Sequence, residues 1–421
     1  MIYSTSLRAQ NRHFNQGAVR IYDFIRDQII SKTSFGHIID EMSYTRASDL
    51  TISDAQGNYS TFAANDVAQN DLGMVLQPSV NNLIKSSGMG GAFIGVVGSG
   101  GSLPTGWNFG DFDTLEVLDI GVEAGLPFIE LDMSKDNISG GGTTYSSIAH
   151  PTITVNDADT WTYITRYKLI SGTLDNNQHH SQIKVAGTSG TGYTDINVTA
   201  QVGVIQPVSA SITISNTAPI TLEYRMFKAD LSVGEAFSAI IRLYAPQLEI
   251  GAYANNPVIT GAGITGSSAP VVADNDVSAW DLSQATIVID ADINNMIGYA
   301  YLFGLDDDAA NANRIVCYTN DSSSLVNFRT TVAGVTVTNG FAVPNGLFKF
   351  AIKYDASQAK LFVNGVLIST ITLATAFGAS VFKRLRFASP NGFGYVANGV
   401  YRHAVLYDQA LTDTQCIEAT V

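Results

Sequence analysis

Apolar and polar residues alternate along most of this chain in short runs that turn residues interrupt. Period-two alternation is clear in residues 161–169, 194–199 and 220–227, and it is typical of strands with one buried face. Alternating or continuous apolar runs also mark residues 285–292, 299–303, 314–318, 325–330, 347–355 and 359–368. The Asn-Gly pair at 364–365 favours a tight hairpin turn between two such runs. The pattern predicts an all-β protein.

One segment near the N-terminus departs from this pattern. Between Gly17 and Ile30, the apolar positions recur at helical spacing and the charged positions lie on the other side. The spacing predicts a short helix over residues 19–30. Two interpretations stay open: the helix packs on its own domain, or it belongs to a segment, residues 1–40, that docks onto a larger assembly. The apolar-face residues are Ile21, Phe24, Ile25 and Ile29, with Gln28 among them.

Glycine-rich stretches divide the chain. An apolar run over residues 239–243 predicts a buried strand, and the proline, glycine and Asn-Asn-Pro turn after it are expected to end regular structure. Residues 261–269 are small, polar and rich in glycine, as in a link between domains. Glycine clusters at 88–91 and 98–101 are also interpreted as linkers. We therefore expect three regions, at 1–90, 91–260 and 270–421.

Composition and charge argue against several classes of function. The 421 residues are 45% hydrophobic but only 14% charged, with a net charge of −14. Nothing here would neutralise phosphates, so we expect no nucleic-acid partner. No apolar run approaches the ~18 residues of a membrane span, and the first residues lack the apolar core of a signal peptide, so we expect no membrane insertion. Cys317 and Cys416 show no metal-binding spacing; they are interpreted as reduced thiols, with a disulfide left open.

Several motifs resemble a known family. The end of the middle region resembles the end of a β-sandwich module common in bacteriophage tail and fibre proteins, and residues 45–48, 63–65, 76–78 and 82–84 resemble its lead-in. Residues 103–107 and 123–131 resemble further stretches of that module. The resemblance implies a galactose-binding-like jelly roll, a fold used in carbohydrate-binding modules. The residues that match the end of the module are Gln247, Leu248, Glu249, Gly251, Ala254, Ile259 and Thr260.

The last region resembles a second family. Tyr354 followed by Leu-Phe-Val-Asn-Gly at 361–365, and Tyr407 followed by Ala-Leu-Thr-Asp at 410–413, resemble laminin-G-like and concanavalin-A-like lectin domains. Together the resemblances imply two tandem jelly-roll β-sandwiches after a small N-terminal attachment region with a short helix.

The function implied is that of a phage virion tail-fibre or receptor-binding protein, located in the virion after synthesis in the host cytoplasm. Its expected partners are other virion proteins, bound through residues 1–40, a host surface glycan, and further copies of the chain, with a trimer favoured. The alternative is a purely structural capsid-decoration or baseplate protein whose sandwiches contact only virion proteins. An accessory of a host-encoded carbohydrate-active enzyme is the third interpretation.

Catalysis is not expected. Retaining glucanases of the concanavalin-like fold resemble one another in an E-x-D-x-E strand, which sets two carboxylates ~5 Å apart. Residues 270–421 contain only one glutamate, Glu418. No histidine lies near a nucleophile pattern such as G-x-S-x-G. One acidic cluster in the middle region has three open interpretations: solvated strand faces, a calcium site or a catalytic pair. Its members are Glu116, Asp119, Glu123, Glu130 and Asp132.

Binding is the remaining chemistry. If the strands of the last region are neighbours, alternation gathers aromatic and planar hydrogen-bonding side chains on one face, as a sugar requires. The alternative is that these tyrosines cover a sheet or a subunit interface. The predicted glycan-binding residues are Tyr299, Tyr301, Arg314, Tyr318, Asn327 and Arg329. The adjacent carboxylates Asp306, Asp307 and Asp308 are interpreted either as an exposed turn or as a cation site, with Ca²⁺ as the candidate ion.

Overall fold

A computed structural model describes residues 18–31, 34–136, 144–174, 179–187, 190–197, 202–216, 220–295, 300–309, 312–320, 323–342, 346–387 and 396–421. The chain is nearly all β, as the sequence predicts. Within the described residues, no helix has the length and hydrophobicity needed to cross a membrane. The chain divides into two compact units. Unit 1 consists of Met1–Gln56, Thr61–Ser79 and Ala269–Val421, and unit 2 of Gly57–Ser60 and Val80–Ser268.

The strands and helices are as follows, in chain order. The first stretch contains β1 (Ala18–Asp23), β2 (Gln28–Ser31), β3 (Phe35–Gly36), α1 (Ile38–Glu41), β4 (Ser43–Thr45), β5 (Leu50–Ser53), β6 (Tyr59–Phe62), β7 (Gln69–Asn70) and β8 (Gly73–Leu76). The middle contains β9 (Val80–Asn82), β10 (Gly95–Val97), β11 (Gly100–Gly101), β12 (Asn108–Gly110), β13 (Thr114–Glu123), β14 (Leu126–Asp136), β15 (Thr144–Val155), β16 (Thr160–Gly172), β17 (His179–Gly187), β18 (Gly190–Asn197), β19 (Gln206–Thr213), β20 (Ile220–Leu231), β21 (Ala236–Ile250) and β22 (Gly266–Ser268). The last part contains β23 (Val272–Asp276), β24 (Ala285–Asn295), β25 (Ala300–Asp306), β26 (Arg314–Asn320), β27 (Ser323–Val332), β28 (Val335–Ala342), β29 (Gly346–Tyr354), β30 (Gln358–Val363), β31 (Val366–Thr372), β32 (Arg384–Phe387), β33 (Asn398–Tyr407) and α2 (Asp413–Ala419).

Unit 1 is a sandwich of two sheets. One has ten strands, in the order β3-β2-β1-β33-β24-β29-β30-β31, with β8 also on β33 and β7 on β8; the other has seven, in the order β28-β27-β26-β25-β32-β23-β4. Their facing sides bury one large apolar cluster, and burial of this kind is the main favourable term in folding. Cys317 and Cys416 are both buried free thiols.

The N-terminal strands are part of this sandwich. β1 pairs with β33, with Ile21 opposite Val405, and β4 pairs with β23. The Tyr22 hydroxyl donates to Asn275 Oδ1 at 3.1 Å. The expectation of a separate N-terminal region over residues 1–90 is therefore corrected for the described residues, because these strands need partners from the last third of the chain.

The predicted helix over residues 19–30 is wrong. These residues form β1, a turn and β2, and Asp27 has a φ of 53° in the turn. The reason is that β1 is covered on both faces. Ile21 packs in a cluster beside α2, while the next residue, Tyr22, packs in the main core of unit 1. A strand buried on both faces is apolar at successive positions. Over about a dozen residues, such apolar positions can recur at the spacing of a helix.

Unit 2 is a second sandwich. Its sheets have seven strands, in the order β11-β10-β13-β14-β21-β16-β19, and five, in the order β12-β15-β20-β17-β18. Residues of both sheets share one buried cluster. The small sheet of β9 and β22 joins the two ends of the long stretch of this unit. The prediction of β-sandwich modules is thus confirmed.

The glycine clusters are packed structure and not free linkers. The Ser86 amide donates to the Gly261 carbonyl at 3.1 Å, and a Cβ atom at Gly90 would lie 2.8 Å from that of Ala262. Glycine is therefore needed at position 90 for close contact between two loops. The first unit boundary falls between Ser79 and Val80, about ten residues before the expected break, and the second falls at the end of the predicted link, after Ser268.

The closing strand of unit 2 is longer than the sequence predicts. Ala245 has a φ of 36° and Pro246 follows it, while the opposite strand shifts register between Ile164 and Arg166. This is a β-bulge, a place where a strand tolerates a proline without losing a ladder hydrogen bond. After the bulge β21 re-enters the sheet, with Gln247 opposite Ile164. Regular structure therefore does not end at residue 243.

A buried polar network follows the bulge. Glu249 accepts hydrogen bonds from the backbone amide and side-chain amide of Asn255, at 2.8 and 2.7 Å, and from Gln247 Nε2 at 2.9 Å. Gln247 Oε1 accepts from the Val258 amide at 2.7 Å. Asn82 donates to the carbonyls of Pro246 and Val258. The residues that resemble the end of a phage module thus have a structural role, since they close unit 2.

We predict that Glu249→Ala lowers the free energy of unfolding by about 2–4 kcal/mol, because it leaves three buried N–H groups without an acceptor. Urea unfolding monitored by tryptophan fluorescence measures the effect. The control is Glu116→Ala on a half-buried strand position, where we expect a change within about 0.5 kcal/mol. Equal losses in the two variants would contradict the role of the network.

Candidate functional site

The predicted face of the last region exists. Tyr301 lies opposite Tyr318 on the neighbouring strand, and Tyr318 lies opposite Asn327 on the next. Arg329 and Arg314 follow on the same face, opposite Val316 and Thr331. Strand alternation therefore groups these five predicted residues correctly. The sixth, Tyr299, lies outside the described residues.

This face does not offer open rings. Tyr301 and Tyr318 are only 5% and 3% exposed, and their rings stack on each other with centroids 5.4 Å apart. The Arg329 guanidinium lies 4.5 Å from the centroid of the Tyr318 ring and donates to its hydroxyl. A sugar ring needs an uncovered aromatic face for stacking. The described tyrosines of this set are therefore packing residues in this conformation, and their assignment to sugar stacking is corrected.

The three adjacent aspartates do not fit a cation. Asp306 and Asp308 both accept hydrogen bonds from Arg386. Asp307 accepts from the backbone amides of Ala309 and Asn313, which makes a turn. Arginine thus supplies the positive charge that Ca²⁺ would supply. Among the residues described, no group of three or more His, Cys, Asp or Glu side chains could hold a metal ion.

Three members of the acidic cluster of unit 2, Asp119, Glu123 and Glu130, form ion pairs with Arg242. Arg242 donates to Glu130 and Glu123, both at 2.7 Å. Burial raises the pKa of Glu123, but hydrogen bonds from Lys168, Tyr244 and Arg242 outweigh it and lower that pKa to about 2. A carboxyl group this acidic stays ionised and cannot serve as the proton donor of a glycosidase. These carboxylates form an ion-pair network on a strand face.

A different face of unit 2 is open. The five-stranded sheet directs one side toward the core and the other outward. Pairing aligns Tyr145 with Asp230, Gln182 with Arg225, and Lys184 with its neighbour on β20. The outward side is polar apart from its aromatic rings. Its residues include Tyr145, Ser147, His180, Gln182, Lys184, Tyr193, Asp195, Glu223, Arg225, Lys228 and Asp230.

Hydrogen bonds hold the polar groups of this face. Arg225 donates to Glu223 through Nε at 3.0 Å and to Gln182 Oε1 through Nη1 at 2.7 Å. Asp230 accepts from Lys228 Nζ at 2.7 Å and lies 2.7 Å from His180 Nε2. Each positive charge on β20 therefore has a carboxylate partner. Burial raises the pKa of Asp230, yet these hydrogen bonds outweigh it and hold that pKa below its usual value.

Tyr145 covers this polar layer. Its ring centroid lies 4.9 Å from Arg225 Cζ and 5.7 Å from Lys228 Nζ, both at cation–π distance. The residue is nevertheless 48% exposed, and Phe109 is 50% exposed. Both line an open groove of about 360 Å³ across β12, β15 and β20. The groove is lined by Asn108, Phe109, Gly110, Tyr145, Ser147, Ala149, His150, Pro151, Thr152, Glu223 and Arg225.

His150 is the buried group of the groove. Its Nδ1 lies 3.0 Å from the Pro151 carbonyl, which can only accept, so Nδ1 carries the hydrogen. Its Nε2 is buried and has no hydrogen-bond partner among the described residues. Burial lowers the pKa of His150, the Pro151 hydrogen bond opposes this, and the charge of Lys85 lowers it further.

Sequence reasoning missed this groove because alternation alone does not reveal it. β15 and β20 shift register between Ile148 and Ala149, which places Arg225 and Phe227 two residues apart but on different faces. The edge strand β12 has only three residues, too few for a periodic signal. The available signal was a local one, an arginine and a lysine beside carboxylates at 223–230.

Comparisons with known proteins give limited information. No protein-family model matches the chain, and no curated protein matches it. Among solved structures, the Ruminococcus gnavus IT-sialidase CBM40 bound to alpha2,3 sialyllactose is similar at 22% identity over 34% of this chain and 91% of its own, with a TM-score of 0.28. A leech intramolecular trans-sialidase is similar at 19% identity over 35% of this chain and 26% of its own, with a TM-score of 0.29. Domain 4 of a GH43 extracellular arabinanase from Geobacillus stearothermophilus, in complex with arabinotriose, is similar at 14% identity over 40% of this chain and 81% of its own, with a TM-score of 0.31. These TM-scores are low, so the similarities carry no conclusion about this chain.

We predict that His150 makes the protein less stable in acid. The unfolded chain binds a proton at this histidine near pH 6.5, whereas the folded protein binds it only at lower pH. The free energy of unfolding should therefore fall as pH drops below about 6.5, by at most about 1.4 kcal/mol per pH unit. Denaturant unfolding of wild type and His150→Gln from pH 8 to pH 4.5 measures this. The free energies of unfolding of the two proteins should differ by a constant amount above pH 7.5 and converge in acid. A difference that stays constant down to pH 4.5 would contradict the role of His150.

Proposed function

We propose that this protein binds a glycan, without catalysis, in the groove of unit 2. The observation that carries the proposal is the half-exposed ring of Tyr145, which lines an open groove beside the hydrogen-bonded polar layer of β20. Aromatic rings stack on the C–H faces of sugars, and fixed planar groups bind their hydroxyls. Ligand sites commonly combine apolar walls with a few fixed polar groups.

The geometry favours a ligand that binds from above the Tyr145 ring. Arg225 and Lys228 lie within cation–π distance of that ring, while about half of the tyrosine stays exposed. The charges beneath it are paired with Glu223 and Asp230. An acidic sugar would have to displace one of these carboxylates, whereas a neutral hydroxyl can add a hydrogen bond to the existing network. A neutral glycan is therefore the ligand class we propose.

The proposed setting is a bacteriophage tail fibre or receptor-binding protein that contacts a host surface glycan. Its support is the resemblance of residues 247–260 and 354–365 to phage and lectin modules. The alternative, a purely structural virion protein, has support of its own, since the side chains of the matching residues Gln247 and Glu249 form hydrogen bonds within their own unit. Glycan binding separates the two, because the structural alternative expects none.

We predict that Tyr145→Ala weakens glycan binding about ten-fold, which corresponds to about 1.4 kcal/mol, because it removes the stacking surface. A glycan array with the full chain identifies the ligand, and isothermal titration calorimetry measures the affinity. The free energy of unfolding should fall by no more than about 1–2 kcal/mol, since the half-exposed ring also loses two cation–π contacts.

The matched control for Tyr145 is Tyr193→Ala. This tyrosine is 56% exposed on the same sheet but does not line the groove. Its removal should change the affinity less than two-fold. An array on which the full chain binds no glycan would overturn the proposed function. Equal losses of affinity in the two variants would show that the glycan site lies outside the groove.

We predict that deletion of residues 1–17 prevents incorporation into virions but leaves both units folded. A longer deletion, of residues 1–40, would confuse the two effects because it removes β1 and β2 from the sheet of unit 1. Thermal unfolding checks folding, and immunoblotting of purified particles checks incorporation. Normal incorporation of the shortened chain would contradict attachment through these residues.

A further inference from the structure

Two edge strands meet along one side of unit 1. Within the described chain, β28 is hydrogen-bonded only to β27, and β31 only to β30. They belong to opposite sheets and touch where Asn339 Nδ2 donates to Ser369 Oγ at 3.0 Å. The same nitrogen donates to the Thr370 carbonyl, so part of the free edge of β31 is already occupied. An edge strand presents a row of unpaired backbone donors and acceptors that another strand can bind.

β28 carries none of the usual protection against such pairing, whereas β31 has a register shift in its pairing with β30. Soluble proteins protect long edges with charged residues, proline or bulges. The sequences Val-Thr-Val-Thr-Asn-Gly-Phe-Ala of β28 and Val-Leu-Ile-Ser-Thr-Ile-Thr of β31 contain no charged residue and no proline. β28 also pairs with β27 over its whole length without a register shift. It is thus a regular, uncharged edge of eight residues.

Both strands expose apolar side chains besides their threonines. Val335 and Val337 lie opposite Val332 and Thr330, which are buried, so these two valines are on the core side of their sheet. Val335 is nevertheless 55% exposed, and Val337 is also exposed. On the other edge, Val366, Leu367 and Ile368 are exposed as well. Within the described residues, apolar side chains on the core side of β28 are therefore exposed, which is typical of an interaction site.

We infer that β28 pairs antiparallel with β28 of a second copy of this chain, which joins the two seven-stranded sheets into one. The lack of charge on β28 permits this partner, and the two-fold symmetry of antiparallel pairing favours it. The chain has a net charge of −14, so two copies repel each other unless they meet through a neutral surface. β28 provides such a surface. An antiparallel strand is complementary to its own copy about a two-fold axis, and this kind of contact closes a dimer. The resemblance to fibre proteins favoured a trimer instead.

The first test is the mass of the full chain in solution. Light scattering after size exclusion should give twice 44.9 kDa for wild type. The double variant Val335→Lys with Val337→Lys should give 44.9 kDa. Its dimer dissociation constant should rise at least ten-fold, because like charges would lie close to each other across the axis. The control is Val233→Lys, at a valine that is also 55% exposed but lies in a turn of unit 2; it should stay dimeric. A monomeric wild type, or a dimer that survives the double substitution, would overturn the inference.

The second test distinguishes strand pairing from any other dimer. In an antiparallel pair of identical strands, only the residues at the two-fold axis lie opposite their own copies. Single cysteines placed at positions 336 to 339 should therefore cross-link at one or two neighbouring positions and at no other, since a disulfide needs Cβ atoms about 4 Å apart. The native Cys317 and Cys416 are buried and free, so they do not interfere. A dimer that cross-links at none of the four positions would overturn the pairing. Glycan binding is measured separately and does not depend on the result.

Discussion

The buried carboxylate of Glu249 is the constraint on which the closure of unit 2 depends. A carboxylate is costly to bury unless its oxygens accept hydrogen bonds. Here Asn255 and Gln247 supply them, which fixes the turn after β21 against the end of that strand. The Thr260 hydroxyl then accepts from the Ser87 amide at 2.7 Å and donates to the Ile84 carbonyl at 2.8 Å, which ties the beginning and the end of the unit together. Burial raises the pKa of Glu249 by more than the hydrogen bonds from Asn255 and Gln247 lower it, so that pKa stays above its usual value.

The same residues explain why the sequence resemblance was informative about fold and less so about function. Gln247, Glu249 and Thr260 match the end of a phage module, and their side chains bind backbone atoms of their own unit. A motif of this kind persists wherever the fold must be closed in this way. It therefore indicates the sandwich, while the proposed ligand site consists of residues of other strands, such as Tyr145 and Arg225.

Most strands could be predicted, because alternation depends only on which face is buried. Three features could not. β1 is covered on both faces, so Ile21 and Tyr22 follow each other without alternation. The bulge at Ala245 lets a strand continue through a proline. The third feature is whether other residues pack over a sheet face, which depends on tertiary structure. Tyr301 is buried and Tyr145 is exposed, although both are tyrosines on strand faces. Pattern gives the face of a side chain, but the accessibility of that face depends on residues distant in sequence.

The interleaving of unit 1 has a consequence for synthesis. The Ile21 strand is synthesised before unit 2, and its partner, the Val405 strand, is synthesised after it. Unit 2 can therefore fold first, whereas β1 and β33 can pair only after both have been synthesised. Contacts of such long sequence separation also form slowly. The apolar residues of β1 therefore stay without their β33 partner until unit 2 has been synthesised, and a product that ends before Asn398 would leave both β1 and β24 without their common neighbour. Premature termination would thus yield an aggregation-prone chain in which the groove of unit 2 is intact.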